Sequence, residues 1–121
     1  MVNEKPQLSI LIVDDDSGNR KQWKAALESA RFRVLEADNQ VDALTYVGDA
    51  ASGVDLLVTG VMRDGSGAQL AVEAFELRPT LPMIIVASAA NPVGIQVHLA
   101  ILLEPVSDAE LIGAARALLS R

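Results

Sequence analysis

Strand-like runs and helix-like segments alternate along this chain, and that alternation limits the fold more than any other feature of the sequence. Four runs of mostly apolar residues have the length of a buried strand: Leu8–Val13, Arg33–Ala37, Val54–Thr59 and Met83–Ala87. A fifth run ends in Ala100-Ile101-Leu102-Leu103. Strands separated by helices are joined by right-handed crossovers and lie parallel in one sheet. The pattern therefore predicts a doubly wound α/β fold with a five-stranded parallel sheet.

Four helices are predicted from start signals and from apolar residues at helical spacing. The start signals are Asp16 and Ser17 for the first helix, Asn39 for the second and the capping box Ser107-Asp108-Ala109-Glu110 for the last, whereas the third helix is predicted to begin near Gly67. In the first helix, Trp23 recurs at helical spacing with Leu27, which predicts that the indole lies in the core. The second helix should end near Gly48, and the third should end near Leu77, before Pro79.

The segment between the fourth and fifth strands lacks a helical pattern. Apolar residues alternate strictly from Val93 to Ile101, which is the period of a strand. Pro92 and Gly94 further disfavour a helix. We expect an extended segment or a single turn before the fifth strand. The helix that the alternation would place here should therefore be truncated or replaced by extended chain.

The length of the chain suits one domain with one core. We expect that domain to span all 121 residues, with its core at residues 8–120. Half of the residues are hydrophobic but only 3% are aromatic, so the core must be built from aliphatic side chains. Because the last helical pattern ends next to Arg121, we expect no output domain after it.

Charge and composition also narrow the partners and the location. A formal net charge of −6 argues against nucleic acid, because no basic patch is present to displace counterions from phosphates. The absence of cysteine excludes disulfides, thiolate metal sites and thiol nucleophiles. We find no N-terminal apolar leader and no apolar run of about 18 residues. We therefore expect a cytoplasmic protein that does not contact a membrane.

Candidate functional residues lie where the predicted strands end. In an open parallel sheet, ligands and reactive groups collect at the carboxyl ends of the strands. Four sequence features fall at these ends: Asp14-Asp15-Asp16, Gly60, Ser88-Ala89 and Glu104-Pro105. The aspartates offer the oxygen ligands that Mg²⁺ prefers. Alternatively, Asp16, with or without Asp15, only caps the first helix.

These strand ends, with the strands before them, resemble the response-regulator receiver family of two-component systems. Four stretches carry the likeness and occur in family order: Ile10–Asp16, Val54–Met62, Ile84–Ala89 and Ile101–Pro105. The likeness extends from Ser9 to Leu119, nearly the whole chain. It implies the CheY-like, flavodoxin-like (βα)5 fold with the strand order 2-1-3-4-5.

The resemblance also shows what this chain lacks. Receivers take a phosphoryl group onto an aspartate, and a divalent cation and a lysine neutralise the phosphoryl oxygens. Here Gly60 stands at the acceptor position and Glu104 at the lysine position. Ser88 keeps the hydroxyl position, whereas Ile101 replaces the aromatic residue of the family's switch. The resemblance therefore implies a degenerate receiver with no catalytic residue, no required cofactor and no ordinary phosphotransfer.

The same resemblance implies a cation site formed by Asp14, Asp15 and the main-chain carbonyl of Met62. Without a carboxylate at Gly60, we expect any Mg²⁺ affinity to be weakened, although Glu104 can supply another carboxylate. Because the acidic run and Ser88 remain, we expect the pocket to keep its shape.

Two functions are consistent with these features. The first is a stand-alone interaction module, not an enzyme, that contacts a histidine kinase or another regulator without being phosphorylated. A sheet edge exposed by the shortened crossover would also suit a homodimer or a partner strand. The second is a response regulator phosphorylated at an unconventional acceptor such as Asp64. A nucleotide-binding domain is disfavoured, because aspartates follow the first strand where a phosphate loop would need glycines.

Overall fold

The computed structural model describes residues 7–60, 62, 67–87 and 99–120, which form five strands and four α-helices. The strands are β1 (Ser9–Val13), β2 (Arg33–Ala37), β3 (Val54–Thr59), β4 (Met83–Ala87) and β5 (Leu99–Leu103). The helices are α1 (Ser17–Ser29), α2 (Gln40–Gly48), α3 (Gly67–Leu77) and α4 (Asp108–Leu119). A 3₁₀ turn at Ala50–Ser52 lies between α2 and β3.

All strand pairs are parallel, and the sheet order is β2-β1-β3-β4-β5. This order confirms the predicted flavodoxin-like topology. The strand order reverses at β1, which pairs with β2 on one side and β3 on the other. Val13 at the end of β1 is in register with Ala37 and with Thr59. The residues that follow β1 and β3 therefore lie side by side at the carboxyl edge of the sheet.

Successive residues of each strand point to opposite faces of the sheet, and each face is covered by a pair of helices. Leu11, Leu57 and Ile85 belong to the core under α2 and α3. Ile12, Val58 and Val86 belong to the core under α1 and α4. As the sequence predicts, Trp23 is part of this second core, with only 5% of its surface exposed.

Three helices begin as their start signals predict. Asp16 caps α1 by accepting a hydrogen bond from the Asn19 amide at 3.0 Å. Asn39 caps α2 in the same way. Ser107 and Glu110 form the reciprocal capping box of α4. These caps satisfy backbone donors that the first helical turn leaves unpaired.

The two edge strands of the sheet have different surfaces. On β5, Ala100 and Leu102 pack towards the core under α1 and α4. On the opposite face, 43% of Ile101 and 57% of Leu103 is exposed. The segment 88–98, for which the sequence predicts extended chain and a truncated helix, lies outside the described residues.

Among the described residues, the helices are too short or too polar to cross a lipid bilayer.

Candidate functional site

The carboxyl edge of the sheet brings together two of the predicted site residues. Asp14 directly follows β1, and Gly60 directly follows β3. The Gly60 amide donates to the Val13 carbonyl at 2.7 Å, which continues the β1–β3 pairing past the end of the strand. Ser88 and Asp64 lie outside the described residues, so their predicted positions stay predictions.

The Asp14 carboxylate lies inside this edge rather than in solvent, with only 3% of the residue exposed. One oxygen, Oδ1, accepts a hydrogen bond from the Asp16 amide at 2.9 Å. The other, Oδ2, accepts from the side-chain amide of Asn19 at 3.3 Å. The Arg20 guanidinium donates to the main-chain carbonyl of Asp14 at 2.7 Å. The first turns of α1 therefore hold both the backbone and the side chain of Asp14.

Gly60 has no room for a side chain, because Asp14 occupies that space. A Cβ atom on residue 60 would lie 2.6 Å from the Asp14 Cγ and closer still to Asp14 Oδ2. Both separations are far inside van der Waals contact. The neighbouring carboxylate therefore fills the space that any side chain on residue 60 would need. The expectation that the pocket keeps its shape stays a prediction, because Ser88 lies outside the described residues.

A second glycine, Gly67, packs against the Gly60 backbone from the α3 side of the sheet. A Cβ atom on Gly67, the first residue of α3, would overlap the main-chain carbonyl oxygen of Gly60. It would also lie 3.2 Å from the Thr59 hydroxyl. That hydroxyl donates to the Gly60 carbonyl at 3.2 Å. Thr59 thus points away from Asp14, towards α3, and the N-terminus of α3 packs directly on the Gly60 backbone.

Burial raises the pKa of the Asp14 carboxyl above its ordinary value. The hydrogen bonds from Asp16 and Asn19 oppose this effect, and the nearby charges of Asp15 and Asp16 add to it. A carboxyl whose pKa is raised by folding binds its proton more tightly in the folded state. Its contribution to stability is therefore most favourable at low pH and becomes less favourable as pH rises through the unfolded and then the folded pKa.

Asp14→Asn should therefore make the protein more stable than wild type at pH 7, because the amide keeps the shape and one acceptor but carries no buried charge. The difference should shrink as pH falls and vanish below the ordinary pKa of aspartate. Urea unfolding at several pH values measures this change. Glu76→Gln, which removes a charge from the exposed face of α3, is the matched control. A variant less stable than wild type at pH 7 would contradict the prediction.

The described residues are a poor fit for the predicted Mg²⁺ site. Both oxygens of Asp14 are engaged by protein donors. No group of three or more acidic or histidine side chains suited to a metal occurs among residues 7–60, 62, 67–87 and 99–120. Met62 has a left-handed φ of 63°, and its side chain packs into the core under α2 and α3. Weakened cation binding by Asp14, Asp15 and the Met62 carbonyl stays a prediction.

Glu104 and Ile101 lie at the other side of the site, on and after β5. The Glu104 amide donates to the Ala87 carbonyl at 3.0 Å, so this residue follows the sheet edge beside the end of β4. Its side chain is exposed, and the Glu104–Pro105 peptide bond is cis. Ile101 presents an exposed aliphatic side chain on the α3 side of the sheet. A carboxylate and an aliphatic group therefore stand where the resemblance places a lysine and an aromatic switch.

Comparison with known proteins identifies the family. The model of the response regulator receiver domain matches residues 10–101. The chain belongs to the response regulator receiver family. The match begins in β1 and ends within β5, before Glu104.

Solved receiver structures have the same fold. A response regulator receiver protein from Sinorhizobium medicae is 25% identical, with a TM-score of 0.79, and the match covers 95% of this chain and 96% of that one. A CheY-like receiver domain protein from Methanospirillum hungatei is also 25% identical, with a TM-score of 0.79 and 94% of each chain covered. Similarity over nearly the full length of both chains agrees with the sheet order described above.

The receiver also resembles two curated plant proteins. Both are named two-component response regulator-like PRR37, from the indica and japonica subspecies of Oryza sativa. Each is 30% identical over 88 residues, which make up 70% of this chain but only 12% of the plant protein. The receiver therefore corresponds to a small part of these relatives.

Sequence reasoning identified Asp14, Gly60 and Glu104 but missed Asn19 and Gly67. Asn19 is the third residue of α1, one turn after the Asp16 cap, so its side chain faces back towards the acidic run. Gly67 was assigned only as a helix start. The sequence signal for both was their position in the first turn of a helix that begins at the carboxyl edge of the sheet.

Proposed function

We propose that this receiver is a protein-interaction module of a two-component or phosphorelay pathway that works without accepting a phosphoryl group. The observation that carries the proposal is the Asp14 carboxylate, which fills the space of an acceptor side chain on residue 60. Glu104 supports it, because a carboxylate repels the phosphoryl oxygens that a lysine would bind. Ile101 supports it as well, because an aliphatic side chain has no polar end to couple to a bound phosphate.

The partner in this proposal is a histidine kinase or another regulator of the same pathway. We assign no catalytic role to any residue and no required cofactor. The rice relatives are named response regulator-like, which is in keeping with a receiver that departs from ordinary regulators. The match covers only a small part of each rice protein, so the proposal concerns the receiver alone.

The surface that we propose for partner contact is the β5 edge of the sheet. The other edge strand, β2, carries Arg33 and Glu36, charges of the kind that discourage edge-to-edge pairing. β5 has the sequence LAILL and no charge, and it exposes Ile101 and Leu103. A second copy of the chain is one partner that this apolar edge fits. Sedimentation velocity that gives only monomer at high micromolar concentration would remove the homodimer from the proposal.

Acetyl phosphate with Mg²⁺ tests the central claim. After incubation, intact-mass spectrometry should show no species heavier by one phosphoryl group, whereas an active receiver treated in parallel should gain one. The alternative function requires an acceptor such as Asp64, so Asp64→Asn is the matched variant. A stoichiometric adduct that disappears in Asp64→Asn would establish the alternative. An adduct that persists in that variant would also refute the proposal, with the acceptor at another residue.

A further inference from the structure

A cavity of about 230 Å³ lies between α1 and the chain that follows β5. Its polar lining comes from Asn19, Gln22 and Glu104, and its apolar lining includes Trp23 and Pro105. The lining is therefore amphipathic and includes both a buried aromatic ring and a carboxylate. Sites of this composition orient a ligand by a few polar groups and hold its apolar part by contact.

The polar lining of the cavity carries one negative charge and two neutral amides. The Gln22 side-chain nitrogen donates to Asp108 at 3.2 Å, and the Asn19 side-chain nitrogen donates to Asp14 at 3.3 Å. Each of these bonds uses one of the two N–H groups of the amide, so each amide retains one N–H donor and its oxygen acceptor. The Glu104 carboxylate has no hydrogen bond or ion pair within the described ranges. The cavity thus offers one carboxylate and two neutral amides, and its net charge is negative.

Two of the three basic residues of α1 pair with a carboxylate on β2, and the third, Lys21, is exposed and is not among the described residues that line the cavity. Arg20 and Lys24 lie on the side of α1 that faces β2, where both pair with Glu36 at 3.4 Å and 3.3 Å. No basic side chain is among the described residues that line the cavity. The net charge of −6 further favours the approach of a cationic group. Charge complementarity therefore selects a cation over an anion for this cavity.

We propose that the cavity binds the guanidinium group of an arginine side chain presented by a protein partner. Arginine carries five N–H donors and a positive charge, which suits a cavity whose charged lining group among the described residues is the Glu104 carboxylate. Its planar head can bind the Glu104 carboxylate while its aliphatic stem contacts Trp23 and Pro105. A metal ion fits less well, because the described residues offer no cluster of three metal-binding side chains. The proposal rests on the proposed function and adds the chemistry that recognises the partner.

The glutamate at position 104 is the centre of this inference. The same corner of the sheet, by the resemblance to receivers, would hold a lysine that binds an anion. Glu104 places a negative charge where a lysine would place a positive one. The position after β5 therefore suits a cation of a binding partner instead of a phosphoryl group bound to this protein. In this proposal, Glu104 contributes to recognition of the partner.

Trp23 is the only tryptophan of the chain and lines the cavity, so its fluorescence reports occupancy directly. The probe is N-acetyl-arginine N-methylamide, and the matched neutral probe is N-acetyl-citrulline N-methylamide. We expect a saturable change in Trp23 emission with the arginine probe, with a dissociation constant in the range of about 1 to 10 mM. The citrulline probe should give no saturation, and added salt should weaken the arginine response.

Glu104→Gln should weaken binding of the arginine probe about threefold or more, because it removes the charge from the hydrogen bond. Glu76→Gln, which makes the same change in net charge on the far side of the sheet, should leave binding unchanged. The NMR signal of the Trp23 indole N–H, followed in the same titrations, locates the site.

Three outcomes would overturn the inference: no saturation with the arginine probe, equal binding of the citrulline probe, or unchanged binding in Glu104→Gln. Each of them is independent of the phosphorylation experiment. A protein that takes no phosphoryl group and binds no arginine would refute the cavity proposal and leave the proposed function standing. A protein that accepts a phosphoryl group and also binds arginine would refute the proposed function and leave the cavity proposal standing.

Discussion

Gly60→Ala is expected to lower the free energy of unfolding by about 2 kcal/mol, although it adds only one methyl group. That methyl group would lie 2.6 Å from the Asp14 Cγ, so the Asp14 side chain must rotate. Rotation breaks its hydrogen bonds with the Asp16 amide and the Asn19 side chain and leaves a buried carboxylate without them. Urea unfolding, with the slope checked for two-state behaviour, measures the loss.

A double-mutant cycle identifies the cause of this loss. In an Asp14→Ala background the obstructing carboxylate is absent, so Gly60→Ala should cost less than about 0.5 kcal/mol. Gly67→Ala is the control. Its methyl group would meet the Gly60 carbonyl, which is backbone and remains in place when Asp14 is truncated. Its cost should therefore be the same in both backgrounds. Equal costs of Gly60→Ala with and without the Asp14 carboxylate would refute the packing that we describe.

The fold was predictable because its signals are local. The bounds predicted for β2, β3 and β4 agree with the structure, since each strand is a short run flanked by turn formers or charges. β1 begins at Ser9, one residue later than predicted. The 3₁₀ turn at Ala50–Ser52 was not predicted, because a turn of this length carries no periodicity. The order of the strands required the family resemblance, since alternation alone does not fix which strands are neighbours.

The site was only partly predictable from the sequence. Each residue could be assigned to a strand end, and the register of β1 and β3 then places Asp14 beside Gly60. The direction of the Asp14 side chain could not be predicted, because it depends on the empty volume at Gly60, a residue far away in sequence. In a sequence, a glycine in place of a larger residue indicates only that one side chain is missing at that position. In the packed protein, the Asp14 carboxylate occupies the space beside Gly60, so the two positions must be considered together.

The conformation of Asp14 also explains why restoring an acceptor should not simply restore a receiver. An acceptor and Asp14 would compete for one volume, and two buried carboxylates in contact cannot both ionise without a compensating charge. A divalent cation supplies that charge. The effect of the substitution should therefore depend on whether Mg²⁺ is present.

Gly60→Asp should be strongly destabilising without divalent cations, by about 3 kcal/mol, and should gain stability from Mg²⁺. The introduced carboxylate, Asp14 and Asp15 would together provide the three acidic ligands that the described residues lack. At 10 mM Mg²⁺ we expect the melting temperature of the variant to rise by about 5 °C, because a ligand that binds only the folded state stabilises it. Wild type should shift by less than about 1 °C, since Gly60 offers no ligand. Differential scanning calorimetry in EDTA and in Mg²⁺ gives both values.

Two control variants separate cation binding from packing. Gly60→Asn introduces nearly the same volume without the charge, so it should be destabilised but should not respond to Mg²⁺. Asp15→Asn combined with Gly60→Asp removes one of the three ligands and should abolish most of the response. If wild type and Gly60→Asp gain equally from Mg²⁺, the cation does not require a carboxylate at residue 60, and the predicted weakening of the site is wrong. If Mg²⁺ stabilises neither protein, the acidic residues after β1 only cap α1 and fill the space beside Gly60. Asp14 would then keep its position in the presence of the cation.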